Sequence, residues 1–111
     1  MYIEAPTTQF KKELRLAKKR NKDLSILRNV IDIIKSGNPL PDQYKEHYLS
    51  NNYKGCRECH LQPDWLLIYK IDKKCNKLYL LRTGSHSELF NEDVDIKVLN
   101  NVLNEYLKQN N

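Results

Sequence analysis

The short apolar run WLLIYKI at residues 65–71 does most to decide the fold class of this 111-residue chain. Pro63 and Asp64 break the chain before the run, and the polar stretch 72–76 forms a turn after it. A run this short and this rich in aromatic and aliphatic residues is typical of a strand. A second apolar segment, 78–81, follows the turn and ends before Gly84. The second half of the chain therefore contains two successive strands.

Two amphipathic helices are predicted between a short strand-like start, 1–4, and Gly37. The first begins where Thr7 or Thr8 makes a good N-cap. Its apolar positions recur at helical spacing: Phe10, Leu14 and Ala17. Asp23 can cap the second helix. The apolar stripe of that helix consists of Leu24, Leu27, Val30, Ile31 and Ile34.

The segment between these helices and the apolar run is less regular. Residues 44–49 are mixed in character, whereas 54–61 show no helical stripe and can alternate as a strand. One face of that strand would carry Cys56, Glu58 and His60. The order of predicted elements, β-α-α-β-β-β-α, is that of an α+β domain in which helices lie on an antiparallel sheet.

The C-terminal part of the chain predicts more helix. Ser85 can cap a short helical turn that runs through Phe90, and residues 93–109 predict a terminal helix with one apolar face. We expect four side chains of that face to pack against the domain or a partner: Val98, Leu99, Val102 and Leu103. We therefore divide the chain into a domain, 1–90, and a C-terminal helical extension, 91–111.

The composition is that of a compact protein with a basic body. Hydrophobic residues make up 40% of the chain and charged residues 30%, which excludes a disordered polyampholyte and a collagen-like fibre. Residues 1–90 carry 17 basic and 10 acidic side chains, a net charge of +7, whereas 91–111 have a net charge of −2. This distribution indicates a polyanionic partner for the body.

The sequence also predicts where the protein resides. No apolar run approaches the roughly 18–20 residues that span a bilayer. The N-terminal segment MYIEAPTTQF lacks the basic and apolar regions of an export signal. We therefore expect a cytoplasmic protein, with no membrane partner and with reduced thiols at Cys56, Cys59 and Cys75.

Three histidines, His47, His60 and His86, lie at or near the ends of predicted strands that could be neighbours in one sheet. The side chains around them include Glu58, Asp64, Trp65, Tyr69, Arg82 and Phe90. Metal-free RNA cleavage needs groups of these kinds. A base removes the proton from the 2′-OH, a cation stabilises the phosphorane, and an acid protonates the leaving 5′-oxygen. The alternative interpretation is three surface histidines without a chemical role.

Three blocks of the sequence, YKEH (44–47), YKGCRECHLQPDWLLIYKI (53–71) and LLRTGSHSELF (80–90), resemble the YafQ branch of the RelE/ParE bacterial toxins. The two predicted helices share the resemblance, including AKKRNKDL at 17–24. It implies a RelE-like fold for 1–90, with two N-terminal helices on one side of a small antiparallel sheet. It also implies a toxin of a type II toxin–antitoxin system that cleaves messenger RNA on the ribosome, makes contacts to rRNA and inhibits translation. The inhibitor would be a cognate antitoxin, usually a dimeric DNA-binding protein.

The resemblance implies roles for individual residues. His86 of the RTGSH block looks like the general acid, and Arg82 of the same block looks like the ligand of the phosphate and the transition state. Phe90 of SELF looks like the residue that positions the base of the RNA or the catalytic histidine. No cofactor and no metal are implied.

The proton-accepting side is implied by the other two blocks. Glu58 and His60 of RECH look like its main members, supported by Asp64 of PDW and His47 of YKEH. The identity of the general base stays open, since His60, Glu58 and Asp64 all qualify chemically.

RNA contacts are expected from one ring and from a basic helix face. Trp65 either stacks on RNA or packs half in the core. The basic side chains are Lys11, Lys12, Arg15, Lys18, Lys19 and Arg20, together with Lys54. A toxin that enters the ribosome would place this face among rRNA phosphates, and its binding would then weaken steeply with salt.

Other interpretations compete with a nuclease. Cys56 to His60 is formally the C-x-x-C-H pattern of haem attachment, but haem would call for export and would benefit from a distal methionine, and the only methionine is Met1. A zinc site built from the three cysteines and a histidine is chemically possible. The non-enzymatic alternative is a basic RNA- or protein-binding module on a ParE-like scaffold. Relatives of that kind lack the histidine set, which this chain has.

Overall fold

The computed structural model describes residues 1–50, 53–90, 101–102 and 104–108 and shows an α+β fold. One five-stranded sheet has the order β1-β5-β4-β3-β2. The strands are β1 (Ile3–Pro6), β2 (His47–Tyr48), β3 (Arg57–Gln62), β4 (Trp65–Asp72) and β5 (Lys77–Gly84). The helices are α1 (Thr8–Lys19), α2 (Leu24–Lys35) and α3 (His86–Leu89), and a 3-10 turn covers Asp42–Tyr44. The predicted fold class is confirmed.

Both N-terminal helices begin where the sequence predicts. The side chain of Thr7 accepts a hydrogen bond from the backbone N–H of Phe10, so the cap of α1 is Thr7 and not Thr8. Asp23 caps α2 by accepting from the backbone N–H of Ser25. The buried positions are those of the predicted apolar stripes: Phe10 and Ala17 in α1, and Leu27, Val30, Ile31 and Ile34 in α2.

The sheet is mixed and not purely antiparallel, because β1 pairs in parallel with β5. Parallel pairing needs a long crossover connection. Here both N-terminal helices and three strands separate β1 from β5 along the chain. The end of β1 is fixed by Thr7, whose N–H donates to Leu80 and whose hydroxyl donates to Leu81. At the opposite edge, β2 is a two-residue strand that the sequence pattern did not resolve.

Apolar side chains pack on both faces of the sheet. One core lies against α1 and α2 and includes Cys59, Trp65, Leu67 and Tyr69. The other core lies on the opposite face and includes Leu66, Ile68, Tyr79, Leu81 and Val102. The central strands β4 and β5 contribute to both cores, so they are buried on both faces. Within the described part of the chain, no helix has the length and apolar character needed to cross a bilayer.

Part of the predicted C-terminal helix is described, and it packs on the second core. Residues 101–102 and 104–108 are helical, and Val102 is only 1% exposed. The ring of Tyr106 meets that of Tyr79 edge-on at 4.7 Å between centroids. The carboxylate of Glu105 accepts hydrogen bonds from the backbone N–H and the hydroxyl of Thr8. The predicted packing positions Val98, Leu99 and Leu103 lie outside the described residues.

Candidate active site

A buried carboxylate lies between two histidines where β2 pairs with β3. His47 is directly opposite Glu58 in the register of these strands, and His60 lies two residues further along β3. The Oε1 atom of Glu58 is 3.5 Å from Nε2 of His47 and 3.5 Å from Nε2 of His60. Glu58 is buried, and its Oε2 atom has no hydrogen-bond partner among the described residues. A buried carboxylate with spare acceptor capacity is suited to receiving a proton.

The third histidine extends this cluster along the same surface. The ring centroids of His47 and His60 are 6.2 Å apart, and those of His60 and His86 are 5.5 Å apart. His86 is the first residue of α3, and Ser85 and Glu88 form a capping box around that turn. The three histidines therefore form a row, although His60 lies within β3 and not at a strand end.

Asp64 orients His86 from the turn between β3 and β4. Its Oδ1 atom accepts the backbone N–H of His86 at 3.0 Å and lies 2.9 Å from the ring Nδ1. The backbone hydrogen bond, followed by the contact to the ring, holds the pKa of the Asp64 carboxyl below its usual value. An ionised Asp64 fixes the ring so that Nε2 points away from the carboxylate.

An aromatic side chain lies next to this pair. The ring of Phe90 has its centroid 6.3 Å from that of His86 and 6.0 Å, edge-on, from that of Tyr53. Phe90 is partly exposed, so one ring face is available to a base. Sequence reasoning expects Phe90 here but misses Tyr53, which is buried and forms part of the second core.

Arg82, like Glu58, is a buried member of the expected site, but its charge is paired with a carboxylate. It is 3% exposed, and its Nη2 atom donates to Oε2 of Glu13 at 2.6 Å. Its Nη1 atom donates to the hydroxyl of Tyr53 at 3.1 Å. Burial disfavours the charged guanidinium, but the hydrogen bonds to Glu13 and Tyr53 outweigh burial and raise the pKa of Arg82. The structure thus surrounds this guanidinium with protein partners, Glu13 and Tyr53 among them, instead of an open phosphate site.

Glu13 is a residue that the sequence interpretation missed. It also accepts the backbone N–H of Thr83, so it ties α1 to the end of β5. One signal could have found it. Glu13 is the only acidic residue between positions 8 and 22, in a segment otherwise rich in lysine and arginine.

The expected RNA contacts divide into buried and exposed groups. Trp65 is 2% exposed and belongs to the core against α1 and α2, which favours packing over stacking on RNA. The predicted basic side chains of α1 and its C-cap are exposed, and so is Lys54. Arg20 forms an ion pair with Glu88 at 2.8 Å, which places this helix end beside α3.

The cysteines do not form a shared metal or haem site. Cys59 lies in the core against the helices, whereas Cys56 lies in the core on the other face of the sheet. Burial raises the pKa of both thiols. Among the described residues, those that could hold a metal are His47, Glu58 and His60, whose ligand atoms all lie within 4.8 Å of one another. This arrangement was not anticipated from the sequence.

Comparisons with known proteins place this site in a family. The family model for YafQ, described as a bacterial toxin of type II toxin–antitoxin systems, matches residues 2–91. The mRNA interferase toxin YafQ of Escherichia coli BL21(DE3) is 43% identical over 83 residues, which cover 74% of this chain and 88% of that protein.

Solved structures agree with this match. A metal-bound toxin from Helicobacter pylori is 43% identical with a TM-score of 0.78, and the match covers 81% of this chain and all of that one. The toxin in the E. coli DinJ–YafQ complex is 41% identical with a TM-score of 0.73, over 81% of this chain and 99% of that one. From the family match and these relatives, we conclude that the chain belongs to the YafQ family of type II bacterial toxins.

Proposed function

We propose that this protein is an endoribonuclease that cleaves messenger RNA on the ribosome, and so inhibits translation in the cytoplasm. The observation that carries the proposal is the row of three histidines, with a buried carboxylate, Glu58, between His47 and His60 and an exposed one, Asp64, against His86. Groups that can accept and donate protons thus lie a few ångströms apart in one cluster. The E. coli relative named as an mRNA interferase supports the same assignment.

The arrangement fits cleavage by transfer within the RNA chain. The cluster of Glu58 with His47 and His60 accepts the proton of the 2′-OH, whose oxygen then bonds to the adjacent phosphorus. His86 delivers a proton from Nε2 to the 5′-oxygen as its bond to phosphorus breaks. The products are a 2′,3′-cyclic phosphate and a 5′-hydroxyl, so protons and bonds balance. Phe90, beside His86, offers a ring face to the neighbouring base.

Arg82 remains our candidate for binding the phosphate, although its guanidinium is already paired within the protein. Its charge is compensated by Glu13 at 2.6 Å. A phosphate that bound Arg82 directly would have to displace that carboxylate or approach the guanidinium beside Tyr53.

The decisive experiment compares wild type with His86→Ala and with Ser87→Ala, the adjacent exposed residue of α3. Each protein is added to purified ribosomes on a defined message, and new 5′ ends are mapped by primer extension. Wild type and Ser87→Ala should produce the same cuts. His86→Ala should cleave at least 100-fold more slowly, since general acid catalysis contributes about 10²–10⁴-fold to the rate. Equal inhibition of translation by all three proteins without cuts would instead favour a non-catalytic binding module.

An antitoxin is the expected regulatory partner. The E. coli relative has been solved as a DinJ–YafQ complex. The net charge of +7 over residues 1–90 would attract an acidic segment of such a partner. Co-purification with the protein encoded next to this toxin, and loss of cleavage in that complex, would test the pairing.

A second candidate property is metal binding at His47, Glu58 and His60. The geometry of the three donors favours it, and a related toxin has been solved with bound metal. Imidazole and carboxylate together suit zinc or copper. A bound ion would occupy the proton-accepting cluster, so it should inhibit cleavage. Calorimetry with zinc or copper should show about one ion bound by wild type and none by a His47→Ala, His60→Ala double variant.

A further inference from the structure

A groove on the far side of the β2–β3 edge is not used by the proposed reaction. It has a volume of about 480 Å³, and its lining includes Tyr48, Arg57, Lys70, Asp72, Lys73 and Tyr106. We call these six residues the tyrosine groove. Tyr106 lies outside the stretch 2–91 that matches the family, so part of this lining belongs to the C-terminal extension.

The tyrosine groove carries an excess of positive charge. Three of its side chains are cationic, and only Asp72 is acidic. Asp72 is already engaged, because its Oδ1 atom accepts the backbone N–H of Cys75 in the β4–β5 turn. The carboxylate of Glu46 is 3.9 Å from Arg57, a weak pairing, and no carboxylate of the described residues lies within 4 Å of Lys70 or Lys73. The groove therefore suits an anion.

The same groove presents aromatic rings held by cations. Tyr48 is 67% exposed, and the guanidinium carbon of Arg57 lies 4.8 Å from its ring centroid. Arg57 also donates to the Tyr48 hydroxyl at 2.7 Å, which holds this exposed ring in place. The Nζ atom of Lys70 is 5.6 Å from the centroid of Tyr106. Basic grooves lined with stacking rings are characteristic of proteins that bind single-stranded nucleic acid.

The tyrosine groove adjoins the candidate active site across the short edge strand β2. Tyr48 follows His47 in β2, and Arg57 precedes Glu58 in β3. The pair Tyr48–Arg57 is thus one register step from the pair His47–Glu58. One step along a strand is about 3.3 Å, and it turns the side chains to the opposite face of the sheet, so RNA that reaches the groove from the histidines passes around the β2 edge.

We propose that the tyrosine groove binds single-stranded RNA that continues around the β2 edge from the nucleotide at which cleavage occurs. A base stacks on Tyr48, and phosphates contact Arg57, Lys70 and Lys73. This inference rests on the proposed function, because it assigns a place to the substrate of that reaction. The exposed ring of Tyr48, with the guanidinium of Arg57 against it, favours RNA over an acidic protein segment, for which the cations alone would suffice.

The test uses the full chain and a fluorescent ten-nucleotide RNA with 2′-O-methyl groups, which cannot be cleaved because it lacks the 2′-OH. Binding is measured by anisotropy between about 50 and 200 mM salt. Lys73→Glu should weaken binding at least fivefold and reduce the slope of log affinity against log salt by about one. Tyr48→Ala should weaken it about fivefold or more, the range for loss of one stacking platform. The matched control is Lys74→Glu, an exposed neighbour in the same turn that does not line the groove; it should change binding less than twofold.

Several results would overturn the proposal. The proposal is wrong if the wild-type protein does not bind the RNA. It is also wrong if the Lys73→Glu and Tyr48→Ala variants bind the RNA as tightly as the Lys74→Glu control does. A polyglutamate peptide that displaces the RNA at lower concentration than unlabelled RNA would assign the groove to an acidic protein. The experiments distinguish failure of the proposed nuclease activity from failure of the proposed RNA-binding groove. Binding that depends on the groove without cleavage on ribosomes refutes only the nuclease, whereas cleavage with no effect of groove variants refutes only the groove.

Discussion

Among the individual residues, Arg82 has the most unusual environment. Its guanidinium is buried and shares hydrogen bonds with Glu13 and Tyr53, 69 and 29 residues away in sequence. A buried ion pair is costly to break, because the partner that remains is a buried charge without compensation. The same residue is therefore a candidate both for chemistry and for stability, and the two roles need separate tests.

We predict that Arg82→Ala loses most cleavage and also about 3 kcal/mol of the free energy of unfolding. The double variant Glu13→Leu, Arg82→Met should regain much of the stability, since apolar replacement of a buried pair is often close to neutral. Its cleavage should stay low if Arg82 contacts the phosphate. Urea unfolding and the ribosome cleavage assay measure the two quantities. Cleavage restored together with stability would show that Arg82 acts only through the fold.

The Asp64–His86 contact should depend on pH in one direction. The pKa of Asp64 is lower in the folded protein than in the unfolded chain, where it is about 3.9. Its contribution to stability is therefore present above about pH 4 and is lost as the pH falls through the folded value. We expect the Tm of wild type to exceed that of Asp64→Asn at pH 6, and the difference to shrink as the pH falls below about 4, as followed by circular dichroism. A gap that widens toward pH 3 would contradict this coupling.

At the scale of elements, the helical residues 101–102 and 104–108 join two parts of the fold. Val102 fills the second core, and Glu105 satisfies backbone and side-chain donors at the first turn of α1. The first N–H groups of a helix lack partners within it, and they carry the positive end of its dipole. An acidic side chain from a distant segment thus stabilises the start of the basic helix.

We predict that Glu105→Ala lowers the free energy of unfolding by about 1 kcal/mol, the usual scale for losing a helix-capping acceptor. For a domain of this size that corresponds to a fall in Tm of about 4 °C. Lys108→Ala, exposed on the same helix, is the matched control and should leave Tm unchanged. Truncation after Phe90 should cost more, because it also uncovers Tyr79 and the second core. An unchanged Tm in the truncated chain would mean that the extension does not stabilise the domain.

At the scale of the whole molecule, both faces of the sheet are covered, and this decides which cysteines can react. Cys56 and Cys59 lie in opposite cores, whereas Cys75 is exposed in the turn between β4 and β5. Thiolate is the reactive form, and burial raises the pKa of both core thiols.

We therefore predict one fast-reacting thiol per chain with a disulfide reagent at neutral pH, and three after unfolding. The Cys75→Ser variant should show none that react quickly in the native state. Rapid labelling of two thiols in that variant would show that the cores open more readily than their packing indicates.

The sequence alone determined the elements that local rules control. Thr7 and Asp23 cap their helices, the apolar stripes are buried, and the run at 65–71 is a strand, because capping, periodicity and strand preference act over a few residues. The blocks around His60 and His86 also indicated the family. The assignment of chemical roles to the individual site residues stays a prediction.

Only the tertiary structure decided how distant segments meet. It placed β1 parallel to β5, brought His47 opposite Glu58 through a two-residue strand, and paired Arg82 with Glu13. It also brought the carboxylate of Glu105 to the first turn of α1 and the ring of Tyr106 to the tyrosine groove. Such contacts join residues that are remote in sequence, and their partners are selected by the packing of the whole chain, which no local pattern encodes.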